Sequence, residues 1–259
     1  MYPYIHILGR DIGTYGLCML FGFVLAAVLS MARGKARGLV MEDVLIVGAF
    51  ALGFALACGN AVYIFVTYSL NQIIEFISHG NFSFIGTGIV FYGGLIGGIL
   101  GALIGIRVAG CGFAVIDYAV VPFIPLGHAI GRIGCVLAGC CHGFAYDGPL
   151  AIYYPASVAG LPADQGYFPV QLLESVINIG ICIFLVNYGK RNRAKGLVLL
   201  VYLGIYAVAR FFLEMLRGDA VRGVWFGLST SQIISIGLAL VSVGGILVKK
   251  SINNRKNVQ

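Results

Sequence analysis

The sequence predicts an all-α, polytopic membrane bundle of about seven transmembrane helices, and three observations predict it. First, the 259 residues are 59% hydrophobic and only 10% charged, where a soluble domain carries about 25% charge. Second, apolar runs long enough to span a bilayer recur along the chain. Third, most basic residues fall in alternate connections between those runs. One globular core cannot hide so much apolar surface, so lipid must be the solvent.

The runs fall at roughly 13–32, 44–70, 86–106, 113–134, 170–188, 197–217 and 229–248. The fourth is the least regular, because Pro122, Pro125 and several glycines interrupt it. Such breaks survive in membranes where protein or a cavity satisfies the freed backbone. No stretch reads as a hydrophilic domain, so residues 1–259 are expected to form a single transmembrane domain. Residues 1–13 are polar and aromatic without a basic start, so no cleavable signal peptide is expected there.

Charge sets the orientation. Arg33, Lys35 and Arg37 follow the first run, Arg107 the third, Lys190, Arg191, Arg193 and Lys195 the fifth, and Lys249, Lys250, Arg255 and Lys256 the seventh. These twelve of the 17 Lys and Arg residues occupy alternate loops, which the positive-inside rule makes cytoplasmic. The N-terminus is then outside and the C-terminus inside. The net charge of +7 is therefore a topology signal, with some attraction to anionic lipid, rather than a nucleic-acid footprint. The largest outside loop, about 144–168, holds Asp147, Asp164, Tyr146, Tyr153, Tyr154 and Tyr167. It suits either interfacial anchoring or admission of a substrate.

Five arginines remain. Arg10, Arg217 and Arg222 read as interfacial anchors. Arg132 and Arg210 lie within the fourth and sixth runs, toward their outer ends. An intramembrane arginine costs about 2.5–3.5 kcal/mol on insertion scales and marks a functional site by default. Arg210 has Glu214 one turn away, which also allows a structural ion pair between helices. Two guanidiniums at headgroup level suit a phosphate. Tyr15, Tyr92, Gln171 and Glu174 reach the same level, and His128 and His142 bracket Arg132. The glycines in Phe91-Tyr92-Gly93-Gly94-Leu95-Ile96-Gly97-Gly98 allow close helix approach.

Seven cysteines are present: Cys18, Cys58, Cys111, Cys135, Cys140, Cys141 and Cys182. Most lie in apolar runs, and no disulfide framework is evident. Cys135, Cys140, Cys141 and His142 are metal ligands in type, but their spacing matches no common zinc pattern. Adjacent Cys140 and Cys141 also have the composition of a redox pair. No metal or diffusible cofactor is required by this reading.

At this point the chain resembles the prolipoprotein diacylglyceryl transferase family. Asp11-Ile12-Gly13-Thr14-Tyr15-Gly16 looks like the family's Trp-Tyr-Gly, and Tyr92-Gly93-Gly94-Leu95-Ile96-Gly97 like its His-Gly-Gly-Leu-Ile-Gly. Gly131-Arg132-Ile133-Gly134-Cys135 through Gly139-Cys140-Cys141-His142-Gly143 resembles its Gly-Arg-Ile-Gly-Asn signature. Pro169-Val170-Gln171-Leu172-Leu173-Glu174 resembles Pro-Ser-Gln-Leu-Tyr-Glu, and Tyr206, Arg210, Glu214, Arg217 and Asp219 follow the family's sixth-helix pattern.

The resemblance implies transfer of a diacylglyceryl group from phosphatidylglycerol to the lipobox cysteine of a prolipoprotein, with glycerol phosphate leaving. It implies a multi-pass protein of the bacterial plasma membrane with its site toward the outer face. The expected catalytic residues are Arg132, Arg210, Tyr92 and His142. The expected substrate-binding residues are Tyr15, Arg132, Gly143, Gln171, Glu174, Tyr206 and Glu214. The partners are then phosphatidylglycerol, a prolipoprotein and the bilayer, with no nucleic acid.

The chain departs from the pattern at chosen places. The family histidine is Tyr92, the signature asparagine Cys135, the second asparagine Ala138 and the glutamate Cys140. Tyrosine, with a pKa near 10, is a poor base at neutral pH, so the base falls to His142 or His128. Alternatives are the same fold acting on another lipid or acceptor, a non-catalytic lipid-binding protein, or a transporter. A transporter is disfavoured because no internal repeat is evident and the polar groups gather in the outer third rather than midway.

Overall fold

Within lipid no water satisfies the peptide groups, so an apolar segment closes its own hydrogen bonds as helix. The computed structural model is built of such helices. It describes residues 3–7, 9–82, 85, 88, 90–155, 161, 162, 164–191, 196–218, 224, 225 and 227–256. A hairpin of β1 (Tyr4–Ile7) and β2 (Arg10–Gly13) leads into α1 (Thr14–Gly34). There follow α2 (Met41–Thr67), α3 (Leu70–Ser78), α4 (Phe91–Ala109), α5 (Phe113–Ala119) and α6 (Ile124–Ala138). A small hairpin of β3 (Ile152–Tyr153) and β4 (Gly166–Tyr167) precedes α7 (Val170–Tyr188) and α8 (Val198–Met215). The hairpin of β5 (Val224–Trp225) and β6 (Leu228–Ser229) precedes α9 (Thr230–Lys256).

Six helices are long and apolar enough to cross a membrane: Thr14–Arg37, Met41–Thr67, Phe113–Ala138, Val170–Tyr188, Val198–Met215 and Thr230–Ile252. The predicted third run corresponds to α4, whose Gly93–Ala109 stretch is apolar but shorter. It begins later than the sequence suggests because Val90 is still extended. The predicted second run also overran its helix. Tyr68 leaves helical geometry, and Ser69 starts α3 with a capping box in which Ser69 N–H donates to Gln72 Oε1 at 2.9 Å. Leu70, Ile74 and Ile77 are exposed on one face of α3, the pattern of a helix lying in the interface. The break foreseen in the fourth run is real: a 3-10 turn at Val121–Phe123 separates α5 from α6, with prolines in both new first turns.

The chain forms two compact units, Arg33–Ile116 and the combination of Met1–Ala32 with Asp117–Gln259. The first is the pair α2 and α4. One glycine stripe of α4 lies against the backbone of α2. A Cβ on Gly97 would sit 2.2 Å from the Phe54 carbonyl oxygen, and one on Gly101 2.2 Å from that of Phe50. Gly93 and Gly105 meet Cys58 and Val47 in the same way, so the helices run antiparallel. Without a hydrophobic drive between helices in lipid, such close backbone approach supplies the packing. Asn60 Nδ2 donates to the Gly88 carbonyl at 2.9 Å and fixes the chain just before α4.

In the second unit α6 packs on α7, α7 on α8, and α8 on α9. Val121, Ile181, Leu185, Val198 and Tyr202 form the apolar centre. Polar groups join the layers: Ser175 Oγ donates to Ala129 O at 2.9 Å, and Ser242 Oγ to Leu200 O at 2.7 Å. At the start of α8, fully buried Asp117 accepts from Val198 N at 3.1 Å and Leu199 N at 2.7 Å. A carboxylate from α5 thereby satisfies orphan donors of another helix.

The glycine stripe yields a prediction. Gly101→Ala forces α4 off α2 and is expected to cost about 1–3 kcal/mol, the range for overpacking. Gly98→Ala, whose Cβ would meet nothing nearer than 3.6 Å, is expected to be neutral. Thermal unfolding in detergent checks this, and equal midpoints for the two variants would refute the stripe.

Candidate active site

The site is built where α6 ends. Gly139 adopts φ 71°, and Cys140 N–H closes back on Cys135 O at 3.1 Å. This is the glycine-terminated helix end expected of a Schellman motif. Cys141 follows with φ 59°, a left-handed conformation uncommon for a side-chain-bearing residue. The chain thus doubles back, and the sulfurs of Cys135, Cys140 and Cys141 come within 4.8 Å of one another. Hydrogen bonds from Cys135 and Cys140, and then the Arg217 guanidinium, hold the Cys141 thiol below its usual range. Cys140 is pushed the other way by its bond to Cys135.

Arg132 lies three residues before Cys135 on the same helix. Its Nη2 meets both oxygens of Glu174 on α7, at 2.9 and 2.8 Å. Glu174 is 1% exposed, so the pair is buried and each charge depends on the other. One guanidinium nitrogen does all of this. Arg132 Nη1 points toward Cys135 Sγ at 3.9 Å, and Nε is buried without an acceptor. His128, one turn earlier, places Nε2 at 3.4 Å from Glu174 Oε1. Its ring lies 5.6 Å from that of Tyr206 on α8.

Arg210 repeats the arrangement on α8. Its Nη2 pairs with Glu214 at 2.5 Å and donates to Ser231 Oγ on α9 at 3.3 Å. Arg210 Nη1 is likewise buried without an acceptor. Arg210 and Glu214 therefore form an ion pair within one helix, rather than the expected pair between helices, and a donor is left over.

The loop after α6 is pinned from several sides. Gln171, fully buried at the start of α7, donates through Nε2 to Cys140 O at 2.8 Å and to Tyr154 Oη at 2.9 Å. Burial pushes the Tyr154 phenol up, so it stays protonated. Gly143 forms an isolated bridge with Arg217, and a Cβ there would lie 2.5 Å from Phe168 O and 2.9 Å from Leu216 O. Only glycine fits between those two backbone segments. His142 Nδ1 lies 2.9 Å from Gly143 O. A carbonyl can only accept, so Nδ1 carries the proton and Nε2 is the basic nitrogen of the neutral ring. The ring stands edge-on to Tyr167 at 4.7 Å. Tyr15 of α1 packs against Gly134.

The structure thus places Arg132, Glu174, Tyr206, Gln171, Gly143, His142 and Tyr15 in one neighbourhood, with Arg210 one turn and Glu214 two turns beyond Tyr206 on α8. Tyr92 lies in α4, in the other unit, and its side chain is outside the described residues, as are Asp219 and Arg222. The sequence reading missed Ser231, the partner of Arg210, which carries no signal beyond its place at a helix start. It also treated Arg217 as an anchor and Tyr154 as interfacial. Arg217 faces the thiols, and Tyr154 is buried against Gln171.

Sequence comparison identifies the family. The family profile described as prolipoprotein diacylglyceryl transferase matches residues 3–248. The chain is 35% identical to phosphatidylglycerol–prolipoprotein diacylglyceryl transferase 2 of Clostridium perfringens over 245 residues, covering 93% of this chain and 91% of that protein. It is 31% identical to the phosphatidylglycerol–prolipoprotein diacylglyceryl transferase of Clostridioides difficile over 259 residues, covering 97% and 96%. The like-named protein of Clostridium tetani is 30% identical over 237 residues, covering 92% and 93%. With its multi-pass helical fold, the chain belongs to the prolipoprotein diacylglyceryl transferase family.

Proposed function

We propose that this protein transfers a diacylglyceryl group from phosphatidylglycerol to the lipobox cysteine thiol of a prolipoprotein and releases glycerol phosphate. One observation carries the reading. Two largely buried arginines, Arg132 and Arg210, are each anchored by a carboxylate through a single nitrogen and each keep a buried donor free of an acceptor. A buried N–H without a partner is costly, and a phosphate oxygen is the acceptor that suits a guanidinium best.

In the step itself the thiol sulfur attacks the glyceryl carbon bearing the phosphate oxygen. The C–S bond forms as the C–O bond breaks, and the oxygen leaves with the electron pair. Arg132 and Arg210 stabilise that growing charge, where preorganised donors act most strongly. His142 Nε2 takes the thiol proton, with Nδ1 held by Gly143 O. Glu174 and Glu214 hold the arginines in place. Gln171 acts by fixing the Cys140 turn, and Gly143 by its backbone. Tyr15 and Tyr206 line the lipid.

The arrangement belongs to residues 1–259 acting as one transferase domain in a bacterial plasma membrane. The N-terminus and the site face outward, and α4 is the seventh, shorter span. The alternating basic loops support that orientation. No role for nucleic acid follows from the basic residues.

Purified protein with phosphatidylglycerol and a lipobox peptide should yield lipidated peptide and glycerol phosphate. Arg132→Ala and Arg210→Ala are each expected to lower the rate about 10²–10³-fold, as loss of one charge-stabilising donor does, while membrane insertion persists. Full activity in either variant would remove the phosphate assignment. His142→Ala is expected to lower the rate about 10²–10⁴-fold. An unchanged rate there would transfer the base to another group.

A further inference from the structure

Three thiols in one turn are more than the reaction above uses. Cys135 is buried, Cys141 half-buried and Cys140 exposed, and all three are free thiols. Their sulfurs lie within 4.8 Å of one another. Zinc thiolates have bonds near 2.3 Å, which sets tetrahedral sulfurs about 3.8 Å apart. Side-chain rotation of about 1 Å therefore closes the trio on an ion. The spacing in the sequence hides this, because two ligands sit beyond a helix end that turns back on the first.

We propose that Cys135, Cys140 and Cys141 form a three-thiolate site for zinc, with the fourth position open to the acceptor cysteine. The role in catalysis rests on the transferase reading; the metal site does not.

The ligand set is soft and selects zinc or another thiophilic ion over magnesium or calcium. Among the described residues no fourth Cys, His, Asp or Glu joins the group. His142, adjacent in sequence, has Nδ1 committed to Gly143 O. A site with three protein ligands and an open position is the catalytic rather than the structural kind. Three thiolates around Zn²⁺ leave one negative charge, and two guanidiniums face it. Arg132 Nη1 lies 3.9 Å from Cys135 Sγ, and Arg217 hydrogen-bonds Cys141. The gradient from buried Cys135 to exposed Cys140 opens the site on the side where a peptide arrives.

The chemistry balances. The acceptor S–H gives its proton to His142 Nε2 as sulfur binds the ion, and the metal-held thiolate keeps a lone pair for attack on the glyceryl carbon. The C–S bond forms, the C–O bond breaks, and glycerol phosphate leaves beside Arg132. The thioether product is a poor ligand and departs. The ion is neither oxidised nor reduced. This supplies thiolate in a chain that carries Tyr92 where the family has histidine.

The test uses full-length protein purified in detergent with a reductant. Elemental analysis is expected to find one zinc per chain. Replacement by Co²⁺ should give the intense thiolate-to-cobalt absorption of a thiolate site, and a lipobox peptide should shift that spectrum. A peptide with the lipobox cysteine changed to serine should not. Cys140→Ser should weaken cobalt binding at least tenfold, and the triple serine variant should abolish it, with helicity preserved by circular dichroism. Absence of metal from folded protein, or a Cys140–Cys141 disulfide in its place, would overturn the site. A cobalt spectrum indifferent to the peptide would overturn the open position. Transfer at full rate after chelation would overturn the catalytic role and leave the transferase standing. Metal binding without any transfer would do the reverse.

Discussion

A guanidinium inside a membrane protein must bring its own counter-charge, and the contact of Arg132 with Glu174 is the constraint from which the site follows. The two residues sit on different helices, so burying the pair sets α6 against α7 at one height and rotation. Ser175, the next residue after Glu174, then reaches Ala129 O. Asn178, one turn on, donates to the Glu174 carbonyl at 2.8 Å. Removing either charge would strand the other, a loss of about 3–5 kcal/mol in a buried pair. That dependence allows an arginine to stay charged beside lipid while part of its hydrogen-bonding capacity remains unspent.

The second constraint is backbone geometry. The Cys140 turn exists because Gly139 takes a left-handed conformation and Gly143 admits two carbonyls that any Cβ would strike. Gln171 then locks the turn to the start of α7. Loop and arginine are thus positioned by neighbouring residues of one helix, since Gln171 and Glu174 are separated by a single turn of α7. A shift of that helix would move Arg132 and the Cys140 turn together.

Much of this was legible in the sequence, for definite reasons. Lipid forces long apolar runs into helix, so composition alone gives the fold class, and an arginine there must have a purpose. Boundaries were less legible. The second run hid α3, because an amphipathic interfacial helix continues the hydrophobicity of the span before it, and only the Ser69 and Gln72 capping pair marks the break. Asp117 gave no signal, since its partners are backbone donors of a helix some eighty residues later. Gln171 read as a substrate ligand because it is polar in an apolar setting; the fold engages its Nε2 with Cys140 and Tyr154 and leaves Oε1 buried without a donor. The thiol trio is the sharpest case. Spacing is a poor guide to ligand sets when a helix end intervenes, because the turn at Gly139, not the count of residues, decides which sulfurs meet.

The departures from the family pattern share one logic. The chain has Tyr92 where the pattern it resembles has histidine, and Cys135 and Cys140 where that pattern has asparagine and glutamate. Losing a histidine removes a base; losing an asparagine and a glutamate removes oxygen and nitrogen ligands for substrate. Sulfur replaces neither function as a hydrogen-bonding group, being a weak donor and a weak acceptor. Three sulfurs brought together beside two arginines do something that the lost groups did not, which is to bind a soft cation and hold a fourth thiolate. On the proposed function and metal site, Cys135 and Cys140 are then parts of a single exchange, in which the means of making the acceptor thiolate changes while Arg132 and Arg210 stay in place.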